Sequence, residues 1–167
     1  MPDTPVVSVV GRSHVGKTTL LEKLIVELKR RGYRVATIKH DVHGFEIDRP
    51  GKDTWRHAQA GSDLVVIAGP DRVAMIGRTP RELSLDEVVA RLPLEVDIVL
   101  TEGYKRGDKP KIEVSRAACG RDLLSGEEEL LAVATDQEYP ELRVPQFGLE
   151  DAKGIVDLLE ERLLRFA

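Results

Sequence analysis

The sequence predicts a mostly parallel α/β sheet flanked by helices, with an antiparallel hairpin appended to it. Three observations carry that reading. Short apolar β-branched runs alternate with amphipathic segments along the chain, the pattern of βαβ units. The first such run leads into a glycine-rich loop and then a helix-period segment. Two later strands are separated only by Gly69-Pro70-Asp71, too short for a crossover and right for a hairpin.

Val6–Val10 reads as a strand buried on both faces. In Thr18–Arg31, Leu20, Leu21, Leu24, Ile25 and Leu28 share one helical face, with Glu22, Glu27, Lys29 and Arg30 turned away. Gly32 stops that helix. Arg34–Lys39 is the second strand, His40–Gly51 a polar loop, and Asp53–Ala60 a short helix closed by Gly61. Asp63–Ala68 and Arg72–Ile76 form the hairpin. Leu85–Leu92 is a helix whose Ser84 and Glu87 spell a capping box. Asp97–Thr101, Ile112–Ser115 and Leu130–Ala134 are further strands. Leu149–Phe166 is the closing helix, its start marked by Glu150 and Asp151, where the helix dipole favours negative charge.

At 167 residues the chain is expected to form a single domain, 1–167. Hydrophobic residues at 41% exclude a disordered chain. Lys and Arg total 25 against 29 Asp and Glu, a net charge of −4, and aromatics are only 4%. Neither the charge nor the ring content suits nucleic acid. Met1-Pro2-Asp3-Thr4-Pro5 has no basic region leading into an apolar stretch, and Leu64–Ala68 is too short to span a bilayer. With Cys119 alone, the expected setting is the reducing cytoplasm, away from membranes.

Gly11-Arg12-Ser13-His14-Val15-Gly16-Lys17-Thr18 fits G-x-x-x-x-G-K-[ST] between a strand and a helix, which makes the fold expectation one of P-loop NTPase type. The glycines let backbone N–H groups turn inward around phosphate oxygens, and the helix N-terminus adds partial positive charge. Lys17 is placed on the β and γ phosphates, the Thr18 hydroxyl on Mg²⁺, and Thr19 near the α phosphate. Such sites take a second acidic group from the end of a buried strand. Glu102, closing Asp97–Thr101, is the first candidate, on the metal or on an attacking water; Asp97 lies at the wrong end of the strand. Asp41, following the second strand, is the other candidate, or else an Asx turn opening the loop. His40 and His43 with Asp41 are too loosely spaced for a transition-metal cluster to be preferred.

These residues resemble a known family. The Gly11–Thr18 loop, the Ile38–Phe45 stretch, Asp48-Arg49-Pro50-Gly51-Lys52-Asp53-Thr54, Thr101–Lys105 and Pro110–Val114 are similar to the molybdopterin-guanine dinucleotide biosynthesis adapters, the MobB family. The resemblance covers nearly the whole chain. It implies a dimeric GTP-binding protein with weak GTPase activity. It also implies association with the guanylyltransferase that attaches GMP to molybdopterin, with molybdopterin itself a further candidate ligand. The family's residues carry over to Gly11, Gly16, Lys17 and Thr18 for the phosphates, and to Asp41 and Glu102 as acidic neighbours. The usual guanine-reading Asn-Lys-x-Asp string is absent. Asp136, after the Leu130–Ala134 strand, is the candidate acceptor for guanine N1–H and the 2-amino group, or a capping residue. Two other functions are weighed. A small-molecule kinase would need an arginine-bearing lid, and Arg72, Arg78 and Arg81 fall in a hairpin and turn instead. A metal-delivery GTPase would need His40 and His43 as ligands. The apolar hairpin positions Leu64, Val66, Val73, Met75 and Ile76 predict that a homodimer covers this edge.

Overall fold

The computed structural model describes residues 4–164. The first residues, read above as free of a secretory signal, and the end of the closing helix at Phe166 lie outside them. Two compact units make up the chain: residues up to His40 together with those from Val89 onward, and the intervening Asp41–Val88.

The first unit is built on a six-stranded sheet. Its strands are β1 (Val6–Gly11), β2 (Val35–Lys39), β5 (Ile98–Glu102), β6 (Lys111–Ser115), β7 (Leu130–Thr135) and β8 (Gln146–Phe147). They lie in the order β2-β5-β1-β6-β7-β8, and every neighbouring pair is parallel. All the strands therefore end at one edge, where α/β folds gather their ligands. Helices α1 (Lys17–Arg30) and α4 (Ala152–Leu159) bury Leu20, Leu24, Leu28, Ile155 and Leu159 in one core with Val7, Val9, Leu100 and Ile112. Alternation sends the other β1 and β5 side chains to the opposite face, where Thr101 donates to Ser8 at 2.9 Å. That bond removes the penalty of two buried hydroxyls.

Helix α1 ends as expected. Gly32 has φ 91°, its N–H bonds to the Lys29 carbonyl, and the Tyr33 N–H reaches the Leu28 carbonyl, a Schellman closure that needs the left-handed residue. The closing helix departs from expectation. It begins at Ala152, with the Asp151 carboxylate accepting from the Gly154 N–H at 2.9 Å, and from Glu160 to Leu164 it widens into a π-helical turn. There Glu160 takes bonds from the Arg31 guanidinium at 2.8 Å and the Tyr33 hydroxyl at 3.1 Å.

The second unit holds α2 (Asp53–Gln59), the antiparallel pair β3 (Leu64–Ala68) and β4 (Val73–Gly77), and most of α3 (Leu85–Val89). The Gly69 N–H bonds to the Arg72 carbonyl at 2.8 Å and closes the predicted hairpin. The capping box forms too: Ser84 Oγ accepts from the Glu87 N–H at 3.2 Å, and the Glu87 carboxylate accepts from the Ser84 N–H at 2.9 Å. Helix α3 is shorter than the predicted Leu85–Leu92.

Candidate functional site at the carboxyl edge of the sheet

The Gly11–Thr18 loop bridges the end of β1 and the start of α1. Gly11 has φ 147°, and a Cβ there would lie 2.6 Å from the Val114 carbonyl oxygen on the adjoining strand, so only glycine fits. Gly16, at φ 104°, stands at the N-cap of α1, and no side chain caps the helix. The first-turn N–H groups are thus left for a ligand at the positive end of the helix dipole. His14 also lies in the left-handed region, at φ 60°.

Lys17 folds back over the loop, its Nζ donating to the carbonyls of Gly11 at 3.1 Å and Arg12 at 2.8 Å. Partial burial lowers its pKa, Lys105 and Lys39 lower it further by repulsion, and Glu102 opposes them. Such an ammonium group gains by meeting an anion. Thr18 Oγ1 lies 3.0 Å from both carboxylate oxygens of Glu102. The structure therefore brings together Lys17, Thr18 and Glu102. A hydroxyl beside a carboxylate is an all-oxygen donor pair, which suits a hard divalent cation such as Mg²⁺. Arg12, Ser13, His14 and Thr19 are exposed around the loop, while Val15 is buried beneath it.

Asp41 opens the second unit, and its carboxylate accepts the His43 N–H at 3.0 Å, an Asx turn. Asp136 follows β7 at the same sheet edge as the loop, with one oxygen accepting the Ala117 N–H at 2.7 Å. Asp97 sits at the opposite end of β5 and takes the Arg34 N–H at 2.6 Å. Among the described residues, no group of three or more His, Cys, Asp or Glu side chains is placed to hold a metal ion, and no helix is long and apolar enough to cross a membrane.

Sequence reasoning passed over the support beneath the loop. Arg116 donates through Nε to the Val15 carbonyl at 2.9 Å, with its guanidinium against Gly16. Arg12 faces Asp122 at 3.6 Å. The segment that supplies Arg116 and Asp122 is tied down by Glu113, whose buried carboxylate accepts the N–H groups of Leu124 at 2.6 Å and Ser125 at 3.0 Å. Its far side is held by the Tyr139 hydroxyl on the Arg121 carbonyl at 2.9 Å. In the sequence Glu113 alternates with the apolar Ile112 and Val114 and reads as an ordinary solvent-facing strand position, so no local signal pointed here.

A six-stranded parallel sheet with a glycine-rich strand–loop–helix unit at its carboxyl edge defines an α/β protein of the phosphate-loop fold type. Residues 6–136 match the family of Molybdopterin guanine dinucleotide synthesis protein B, MobB, and the chain belongs to that family. It is 40% identical over 164 residues to the Molybdopterin-guanine dinucleotide biosynthesis adapter protein of Haemophilus influenzae, covering 97% of this chain and 91% of the relative. The protein of the same name from Escherichia coli is 34% identical over 162 residues, covering 94% and 92%. A crystal structure of molybdopterin-guanine biosynthesis protein B superposes with a TM-score of 0.73 at 28% identity, over 95% of this chain and 99% of that one. The MobB homologue of Bacillus stearothermophilus gives 0.68 at 30% identity, over 97% and 99%.

Proposed function

We propose that the protein is a GTP-binding adapter with slow GTPase activity. In this reading it serves the guanylyltransferase that attaches GMP to molybdopterin, in the biosynthesis of the molybdenum cofactor. The observation that carries the nucleotide part is the meeting of three features at one sheet edge: an uncapped helix N-terminus, the Lys17 ammonium group and the Thr18–Glu102 pair. The adapter part is supported by family membership and by the names of the curated relatives.

In this reading the loop N–H groups cradle the phosphates, and Lys17 exchanges its two carbonyl acceptors for phosphate oxygens. Thr18 and Glu102 would hold Mg²⁺, which when bound neutralises charge on the phosphate oxygens. Glu102 also orients a water toward the terminal phosphate. Asp136 at the same edge reads guanine. Asp41 accepts the His43 N–H in an Asx turn, the alternative to a role on the metal or the attacking water. The protein acts as a homodimer through the exposed apolar face of the β3–β4 hairpin.

The test is a titration of purified protein with GTP and ATP in the presence of Mg²⁺. Lys17→Ala should weaken GTP binding roughly 10- to 100-fold, the worth of a hydrogen bond to a charged group, while the circular dichroism spectrum stays unchanged. Parental affinity in this variant would refute the reading. Glu102→Gln should spare binding and slow single-turnover hydrolysis by roughly 10²-fold or more, the scale of a positioned acid–base group. An unchanged rate would leave Glu102 with a structural role alone.

A further inference from the structure

The segment that follows β6 holds the 11–18 loop at two points. On the outside, Arg12 meets Asp122 at 3.6 Å, with side chains 44% and 92% exposed, and an ion pair so open to water contributes little. On the inside, Arg116 Nε donates to the carbonyl of the buried Val15 at 2.9 Å. The inner contact therefore decides where the loop sits. The Val15–Gly16 peptide is planar and trans, so its C=O and N–H point in opposite directions. With the carbonyl held on Arg116, the Gly16 N–H is aimed away from that side chain. Gly16 has φ 104°, and a Cβ on it would lie 3.3 Å from the guanidinium. The bare glycine thus permits both the left-handed backbone and the close approach of Arg116. Loop and segment fit tightly: the crevice between them encloses about 10 Å³, room for one water at most, and Val15 and Cys119 are among its walls.

The same segment is fixed to the other end of the sheet edge. Ala117, next to Arg116, donates its N–H to Asp136 at 2.7 Å. Gln137 Nε2 donates to the Gly120 carbonyl at 3.1 Å and to the Tyr139 hydroxyl at 2.9 Å. That hydroxyl also bonds the Arg121 carbonyl and lies 2.6 Å from Ser115 Oγ. A polar network satisfied in this way is rigid. Adjacent residues therefore hold the two ends of the candidate site, Arg116 the phosphate loop and Ala117 the carboxylate assigned to the base.

We infer that Arg116 is a positioning residue whose bond to the Val15 carbonyl sets the phosphate loop, and that residues 116–121 link this loop to Asp136. Loss of the Asp136–Ala117 bond then weakens phosphate binding even for a ligand that carries no base. The proposal deepens the reading of this sheet edge as a nucleotide site and rests on it.

Tripolyphosphate with Mg²⁺ is the probe, titrated calorimetrically into the full chain, with GTP alongside. The variants come in pairs of equal charge. Arg116→Gln keeps an N–H donor where Nε stands, whereas Arg116→Met has the same length and no donor. Arg116→Met should weaken tripolyphosphate roughly tenfold, the scale of a hydrogen bond from a charged donor, and Arg116→Gln should recover about fivefold of that loss. Asp136→Asn keeps an acceptor for the Ala117 N–H and Asp136→Ala does not, so the alanine variant should bind tripolyphosphate about threefold more weakly than the asparagine variant. Equal affinities within the Arg116 pair would overturn the positioning role, and equal affinities within the Asp136 pair would overturn the link to the base end. The chain's only cysteine gives a readout that needs no nucleotide. Cys119 should react with a thiol reagent faster in Arg116→Met than in Arg116→Gln, because the crevice opens, and equal rates would likewise overturn the positioning role. A wild type that binds neither GTP nor tripolyphosphate would sink the nucleotide reading, while the cysteine rates would still decide whether Arg116 holds the loop.

Discussion

The two units of this chain treat apolar side chains in opposite ways. In the first, Val7, Val9, Leu24, Leu28, Ile98 and Leu100 are sealed from solvent. In the second, Leu64, Val66, Ile67, Val73 and Met75 of the hairpin are each about half exposed, and Val42, Phe45 and Ile47 more so, while its buried apolar side chains include Val65 and Leu85. Composition does not separate the two, since β-branched and aliphatic residues fill the strands of both. The difference is layering. A parallel strand has neighbours on both sides and a helix on its face, whereas a two-stranded ribbon has two edges and an open face. A unit built that way keeps much of its apolar surface exposed.

The sharpest way to break this contrast is to substitute one residue of each kind. Leu24→Ala in α1 removes a side chain with 0% exposure, and should destabilise by about 2–5 kcal/mol in chemical denaturation. Val66→Lys on the open hairpin face should leave the monomer's own denaturation midpoint nearly unchanged and shift light scattering toward smaller species. Equal denaturation costs at the two positions would erase the distinction, and unaltered association would remove the hairpin from the interface.

A smaller effect sharpens the comparison inside the second unit, where local bonds do work that core burial does elsewhere. Ser84→Ala should cost about 1 kcal/mol, the usual worth of an N-cap. The partner carboxyl is informative as well. Hydrogen bonds from Arg81, and then from the Ser84 backbone, pull Glu87 down to about 2. Because the folded value is depressed, its contribution is present above the ordinary carboxylate range and is lost as pH falls from about 4.5 toward 2. The exposed pair is screened, so the expected acid shift is slight and should vanish in high salt.

Most of the frame was legible in the sequence, because its signals are local. A glycine-rich loop between a β-branched run and a leucine-spaced helix, a Ser-x-x-Glu box and a Gly-Pro-Asp turn each specify geometry within a few residues. The Thr18–Glu102 pair was legible as two separate expectations, since each residue sits at the end of its own element. What escaped was tertiary. Lys111 is wholly buried and paired with Glu129, yet within Lys111-Ile112-Glu113-Val114-Ser115 its charge reads as belonging to a solvent-facing strand. Glu113 misleads in the same way, because its acceptors are filled by backbone from a segment that no periodicity ties to it. The π-turn at Glu160 likewise depends on Arg31 and Tyr33, far away in the chain.

The seam between β2 and β5 carries a consequence for how the chain assembles. Lys39 ends one strand and Ile98 begins its neighbour, so the whole Asp41–Val88 unit is a long detour between two strands that must zip together. The entropy of closing such a detour grows only with the logarithm of its length, about 0.6 kcal/mol for each doubling. The pairing is therefore thermodynamically tolerant of what lies between, but it is late: β2 finds β5 only after a wide search, whereas the β3–β4 hairpin closes across Pro70 and Asp71 on its own. The excursion can lengthen, shorten or be rebuilt with little change in the free energy of the sheet, leaving its surface open to remodelling while the carboxyl edge of the sheet stays fixed.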